Sequence, residues 1–111
     1  MTGKKGRVRP PAGVTPPDAD QCSAYAETTQ IASPDPAELA KLSIGSMLVV
    51  ELRNNAQKVV ATNGGREVGA LLPVNVLRLI GCMKRGFNFS AGVTLLSGGF
   101  CEVHIRCMGK S

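Results

Sequence analysis

Apolar residues between positions 36 and 111 fall into short runs of two kinds, one with the period of a strand and one with the period of a helix. Residues 47–52, Met-Leu-Val-Val-Glu-Leu, are rich in branched side chains that suit an extended backbone, and the turn-forming pair Asn54-Asn55 closes them. Residues 58–62 predict a second strand. Asn63-Gly64-Gly65 then marks a hairpin, because Asn and Gly accept the positive φ angles of tight turns, and residues 67–72 predict a third strand. From Phe87 the alternation is regular: Phe87, Phe89, Ala91, Val93 and Leu95 interleave with Asn88, Ser90, Gly92 and Thr94, the pattern of a half-buried strand. After a turn at Gly98-Gly99 the alternation repeats, with Cys101, Val103, Ile105 and Cys107 on one face and Glu102, His104 and Arg106 on the other.

Two segments carry helix signals. Asp35-Pro36-Ala37-Glu38 combines an N-cap residue, a proline at the first helical position and an acid in the first turn, predicting a short helix to about Leu42, stopped by Gly45. Pro73 opens the second segment, where Val76, Leu79, Ile80 and Met83 recur at three- and four-residue spacing, with Leu77 and Cys82 beside them. Lys84 and Arg85 suit the negative end of the helix dipole, and Gly86 suits a left-handed cap. The order α-β-β-β-α-β-β predicts an α+β domain: a small twisted antiparallel sheet or partly closed β-barrel of about five strands with one buried helix. Trp is absent and the aromatics are Tyr25, Phe87, Phe89 and Phe100, so the predicted core is aliphatic.

Residues 1–35 differ in kind. Pro10, Pro11, Pro16, Pro17 and Pro34 stand among small and polar residues, and the apolar spacing around Ala24 and Tyr25 is too thin to predict a stable element. The expectation is a flexible tail over residues 1–35 and a single domain over residues 36–111, one core being what a chain of 111 residues supports.

Composition narrows the function classes. At 43% hydrophobic and 19% charged the chain has a globular balance. No apolar run approaches the roughly 20 residues that cross a bilayer, and the basic start, Lys4, Lys5, Arg7 and Arg9, lacks the apolar block of a secretory signal. No membrane partner is expected, and the cytoplasm is the default location. Cys22, Cys82, Cys101 and Cys107 include no C-x-x-C pair and read as free thiols. His104 is the only histidine, and the strand alternation turns it away from Cys101 and Cys107, which disfavours a Cys-His nucleophile or a shared metal site. Glu38, Glu51, Glu67 and Glu102 each stand alone, and neither glycine turn has the lysine and following helix of a phosphate loop. A non-enzymatic module without metal or cofactor is expected.

Charge adds a positive indication. Residues 36–111 hold nine Lys or Arg against four Glu, and so carry the whole of the formal net charge of +5. Arg53, Lys58, Arg66, Arg78, Lys84, Arg85 and Arg106 are the candidate contacts to a nucleic-acid phosphate backbone. No aromatic residue is placed to stack bases. The alternative is a protein-interaction or structural subunit, a homodimer or a component of a larger bacterial or phage assembly, whose partner covers an exposed strand edge.

The run VVATNGGREVGALLP, residues 59–73, resembles the middle strands of HIRAN domains, in which a strand, a polar turn and a strand ending in a Gly-x-(Leu/Ile)-Pro-like phrase lead into a helix. The helix and the GFNFSAGVTLL strand that follow are similar in order to that family's later part, so the resemblance covers about half the chain. Residues 53–61 read RNNAQKVVA where that family carries an Asn-x-x-Asp-x-x-Ala phrase. The resemblance implies a small β-barrel module that binds DNA ends.

Overall fold

The computed structural model describes residues 19–110. The basic group Lys4, Lys5, Arg7 and Arg9 lies outside the described residues. Six strands form the fold: β1 (Ala26–Ala32), β2 (Met47–Arg53), β3 (Lys58–Asn63), β4 (Arg66–Leu71), β5 (Phe87–Ser97) and β6 (Phe100–Lys110). They close into an antiparallel barrel in the order β1-β4-β3-β2-β5-β6, with β6 pairing back to β1. Three helices accompany them: α1 (Ala19–Ser23), α2 (Pro36–Leu39) and α3 (Val76–Lys84).

The predicted elements after residue 35 are all present, within a few residues of their expected ends. Asp35 caps α2 as its sequence requires, its Oδ1 accepting the N–H groups of Ala37 at 2.8 Å and Glu38 at 3.2 Å, with Pro36 at the first position. The β5–β6 hairpin turns at Gly98-Gly99 and forms a long ladder, from Ser97↔Phe100 to Phe87↔Lys110, interrupted by two bulges. Inward residues of β2, β3, β5 and β6, among them Leu48, Val59, Ala91, Val103 and Ile105, fill the barrel with branched and small side chains.

Three expectations are corrected. The sheet has six strands instead of about five, and the barrel is fully closed. The added strand is β1, which lies in the segment read as a tail; residues 19–35 therefore belong to the domain. β1 has no apolar alternation to announce it, because only Ile31 along its length is fully buried. Its place is set by hydrogen bonding to β6, from Ala26↔Arg106 to Gln30↔Glu102, and by a two-residue contact with β4, Ile31↔Leu71 and Ala32↔Ala70. That contact needs Gly69: a Cβ there would collide with Ile31 Cγ2 and stand 2.9 Å from the Ala32 carbonyl oxygen.

The thiols are the third correction. Cys22 of α1 and Cys82 of α3 form a disulfide across 60 residues of sequence, while Cys101 and Cys107 are free. Spacing along a chain does not determine which cysteines meet in space, and here the docking of α1 on α3 brings two of them together. Within α3, Leu79 and Cys82 are buried, as the three- and four-residue pattern requires, but Leu77 is 78% exposed. Among the described residues no helix is long and apolar enough to cross a membrane, and no strand of the closed barrel is left as an outer edge.

Candidate functional site

The chain order places α1, α3 and the ends of β2 and β6 at one end of the barrel, and α2 with the two glycine hairpins at the other. At the first end α3 is held at both of its termini. Asn75, in the N-cap position, makes no side-chain cap bond. Glu27 of β1 takes that role: its carboxylate accepts Val74 N–H at 2.6 Å, Asn75 N–H at 3.3 Å and Asn75 Nδ2 at 3.4 Å, bringing negative charge to the positive end of the helix dipole. The Tyr25 hydroxyl donates to the same carboxylate at 2.9 Å. Burial, and then this bond to Glu27, push the Tyr25 phenol well above its ordinary pKa. Tyr25 also meets Phe89 edge to face, with ring centroids 5.5 Å apart. Farther along α3, the Cys22–Cys82 disulfide ties the helix to α1.

This anchoring fixes where the cations stand. Arg78, Lys84 and Arg85 lie on the solvent side of α3, and the chain then turns through Gly86 (φ +96°) into β5. Lys110, at the end of β6, opposes Phe87, with its Nζ 5.6 Å from the Phe87 ring centroid. A Cβ on Gly86 would lie 3.7 Å from Lys110 Cε, so the lysine stem runs along the turn that follows Lys84 and Arg85. Lys110 was missed in the sequence because the predicted strand stopped at Cys107. Alternation carried past Gly109 would have found it.

A second pair faces the same junction. Arg53 and Lys58 oppose each other on neighbouring strands. The β2–β5 ladder runs from Met47↔Gly92 to Val49↔Ser90 and stops, although both strands continue. Continued at that register, Leu52 would meet Phe87 and Arg53 would meet Gly86. The end of β2 that carries Arg53 therefore lies at the same end of the barrel as the α3–β5 turn. The Arg53 guanidinium donates to Glu51 at 2.6 Å, and Lys58 forms a looser ion pair with Glu67 at 3.6 Å. The Thr62 hydroxyl donates to Glu51 at 2.7 Å, and this bond, followed by the Arg53 contact, holds the Glu51 carboxyl below its ordinary pKa.

The seven predicted residues therefore divide. Lys84 and Arg85 adjoin; Arg53 and Lys58 share a rung at the same end of the barrel; Arg78 lies two turns back from Arg85 along α3. Arg66 sits in the β3–β4 hairpin, at the other end of β3 from Lys58, and Arg106 lies on the outer wall of β6, opposite Ala26 and Ser90.

The remaining reactive groups are occupied or separated. His104 Nδ1 lies 2.9 Å from the Thr28 hydroxyl, and Cys101 is buried within the barrel, its thiol pKa raised by that burial. Glu38 of α2 is buried, with Oε2 3.2 Å from Lys41 Nζ. Among the described residues no three His, Cys, Asp or Glu side chains gather to hold a metal ion. At the opposite end of the barrel, Leu39, Leu42, Leu96 and Phe100 line an open apolar groove of about 440 Å³. Comparison with protein-family models, curated protein sequences and solved structures finds no match to this chain.

Proposed function

We propose that this protein is a non-enzymatic binding module that holds nucleic acid through its phosphates at the helix-capped end of the barrel. The observation that carries this reading is the convergence of Lys110 from the last strand on the turn after Lys84 and Arg85, with the Arg53–Lys58 rung at the same end of the barrel. Cations fixed on packed elements neutralise several phosphates at once with little loss of side-chain freedom. Phe87 and Phe89 are 5% and 3% exposed and offer no stacking face, so contacts are to the backbone, which positions a strand without reading its sequence. The resemblance of residues 59–73 to HIRAN domains supports the same class of partner.

Fluorescence anisotropy with single-stranded and duplex oligonucleotides across a salt series tests the proposal. Three to five neutralised phosphates give a slope of log affinity against log salt of about −2.7 to −4.5 on duplex. Lys84→Glu with Arg85→Glu weakens binding and flattens that slope, whereas Arg66→Glu changes it little. No binding at low salt defeats the proposal.

The expected cytoplasmic location belongs to this reading, and Cys22–Cys82 weighs against it, since disulfides are rare where thiols are kept reduced. Trapping thiols at lysis and weighing the intact protein decides between the two.

A further inference from the structure

Because residues 19–35 belong to the domain, the charge of the domain is not that of residues 36–111. They bring in Asp20, Glu27 and Asp35 and no Lys or Arg. Residues 19–110 therefore hold nine Lys or Arg against seven Asp or Glu, an excess of two. Residues 1–18 hold Lys4, Lys5, Arg7 and Arg9 against Asp18 alone, an excess of three. Most of the formal net charge of +5 thus precedes α1. Within the barrel, moreover, Arg53 and Lys58 are paired with Glu51 and Glu67 and so partly neutralised before any phosphate arrives.

α1 fixes where the N-terminal cations enter. A helix of five residues is too short to hold itself together, and Cys22 is its only buried side chain. The bond to Cys82 is therefore its anchor, with the two Cα atoms 5.5 Å apart. Ala19 lies three residues before Cys22 and Arg85 three after Cys82, each step about 5 Å in a helix. Residue 19 is then no more than about 16 Å from Arg85. Arg9 stands ten residues before Ala19, a length of chain that spans up to about 33 Å, and the other three cations have more. All four reach the Lys84–Arg85 turn.

We propose that Lys4, Lys5, Arg7 and Arg9 are the second, tethered half of the phosphate site, rooted beside the Lys84–Arg85 turn by the Cys22–Cys82 bond. This extends the nucleic-acid reading above and rests on it. The chain's own acids do not answer these cations: Glu27 is taken up by the start of α3, Asp35 by the cap of α2, and Glu51 and Glu67 by Arg53 and Lys58. A duplex backbone, with one negative charge per about 1.7 Å of axis, offers a row long enough for the barrel cations and the N-terminal ones together. Once the barrel holds that row, the tether makes the second contact intramolecular, and its effective concentration raises affinity without a further folded surface. The disulfide then sets where the segment starts as well as stabilising the fold.

Anisotropy titrations of duplex oligonucleotides with the full chain carrying Lys4→Ala, Lys5→Ala, Arg7→Ala and Arg9→Ala together test this. The variant keeps the wild-type circular dichroism and thermal midpoint. It binds more weakly at low salt, by on the order of 10²-fold. Its slope of log affinity against log salt is flatter than that of the wild type by up to about 3.6, the share of four phosphates. A synthetic peptide of residues 1–18, added at the concentration of the variant, does not restore the affinity, because the untethered segment loses its effective concentration. A variant that binds with the wild-type affinity and slope, while Lys84→Glu with Arg85→Glu weakens binding, overturns this proposal and leaves the barrel site standing. Restoration by the free peptide overturns the tether. A wild-type chain that ignores DNA at low salt defeats both readings.

Discussion

Glu27 Oε2 accepts the backbone N–H of Val74 at 2.6 Å, joining the strand that closes the barrel to the turn that begins α3. Removing this carboxylate strips the Val74 and Asn75 N–H groups of their acceptor at a helix start whose own N-cap side chain is idle. Glu27→Ala is expected to cost about 1.5–3 kcal/mol, the range for hydrogen bonds to a charged group. Glu27→Gln keeps an acceptor without the charge and falls between. Urea midpoints measure both, and a loss of only a few tenths of a kcal/mol for the alanine variant would show that α3 is held elsewhere.

The Cys22–Cys82 link closes a loop of 60 residues, for which the chain-entropy account predicts about 4 kcal/mol of stabilisation. Cys22→Ser with Cys82→Ser should lower the thermal midpoint by well over ten degrees, given that 1 kcal/mol shifts a domain of this size by roughly 4–8 °C. A thiol titration of the unfolded wild-type protein should find only Cys101 and Cys107 reactive. Four reactive thiols would refute the bond.

Gly69→Ala should be costly where Gly92→Ala is cheap. The added methyl at residue 69 meets the Ala32 backbone and Ile31 at the narrow β1–β4 contact, and overpacking of this kind costs about 1–3 kcal/mol. At residue 92 its nearest neighbour is the Met47 sulfur at 3.2 Å, the flexible part of an exposed side chain. Equal midpoints for the two variants would remove Gly69 from the account of barrel closure.

Glu51 gives a pH dependence with a definite sign. The Thr62 hydroxyl and then Arg53 favour its charged form, so its pKa in the folded state lies below the ordinary 4.5. A carboxyl lowered in this way contributes stability above its unfolded pKa and loses it as the pH falls through the folded value. Glu51→Gln should therefore be less stable than the wild type at neutral pH, with the gap narrowing as the pH drops below 4.5. A gap that widens in acid would reverse the assignment.

How far the fold could be read in the sequence depended on what holds each element. Strands β2 to β6 and α3 bury apolar faces, and Leu79, Val93 and Val103 show it in their spacing. β1 is kept in place by its ladder to β6 and by polar side chains, Glu27 on the α3 turn and Thr28 on His104, and hydrophobic periodicity is blind to both. The basic site was partly legible for a related reason. Lys84 and Arg85 adjoin in sequence, whereas Lys110 comes to their turn, and Arg53 to the same end of the barrel, only through the closing of the sheet. Likewise nothing in a spacing of 60 distinguishes Cys82 from Cys101 as the partner of Cys22.

The pairing of Ala26 with Arg106 also constrains how the protein is made. Synthesis runs from the N-terminus, so β1 leaves the ribosome about 75 residues before the last strand it must pair with. Until then β1 has only its brief contact with β4 available, and the hydrogen-bonding edges of the growing sheet are uncovered. Closure brings together opposite ends of the described chain, the kind of distant contact that slows folding. Slow elongation between β5 and β6 would therefore prolong an open, aggregation-prone sheet.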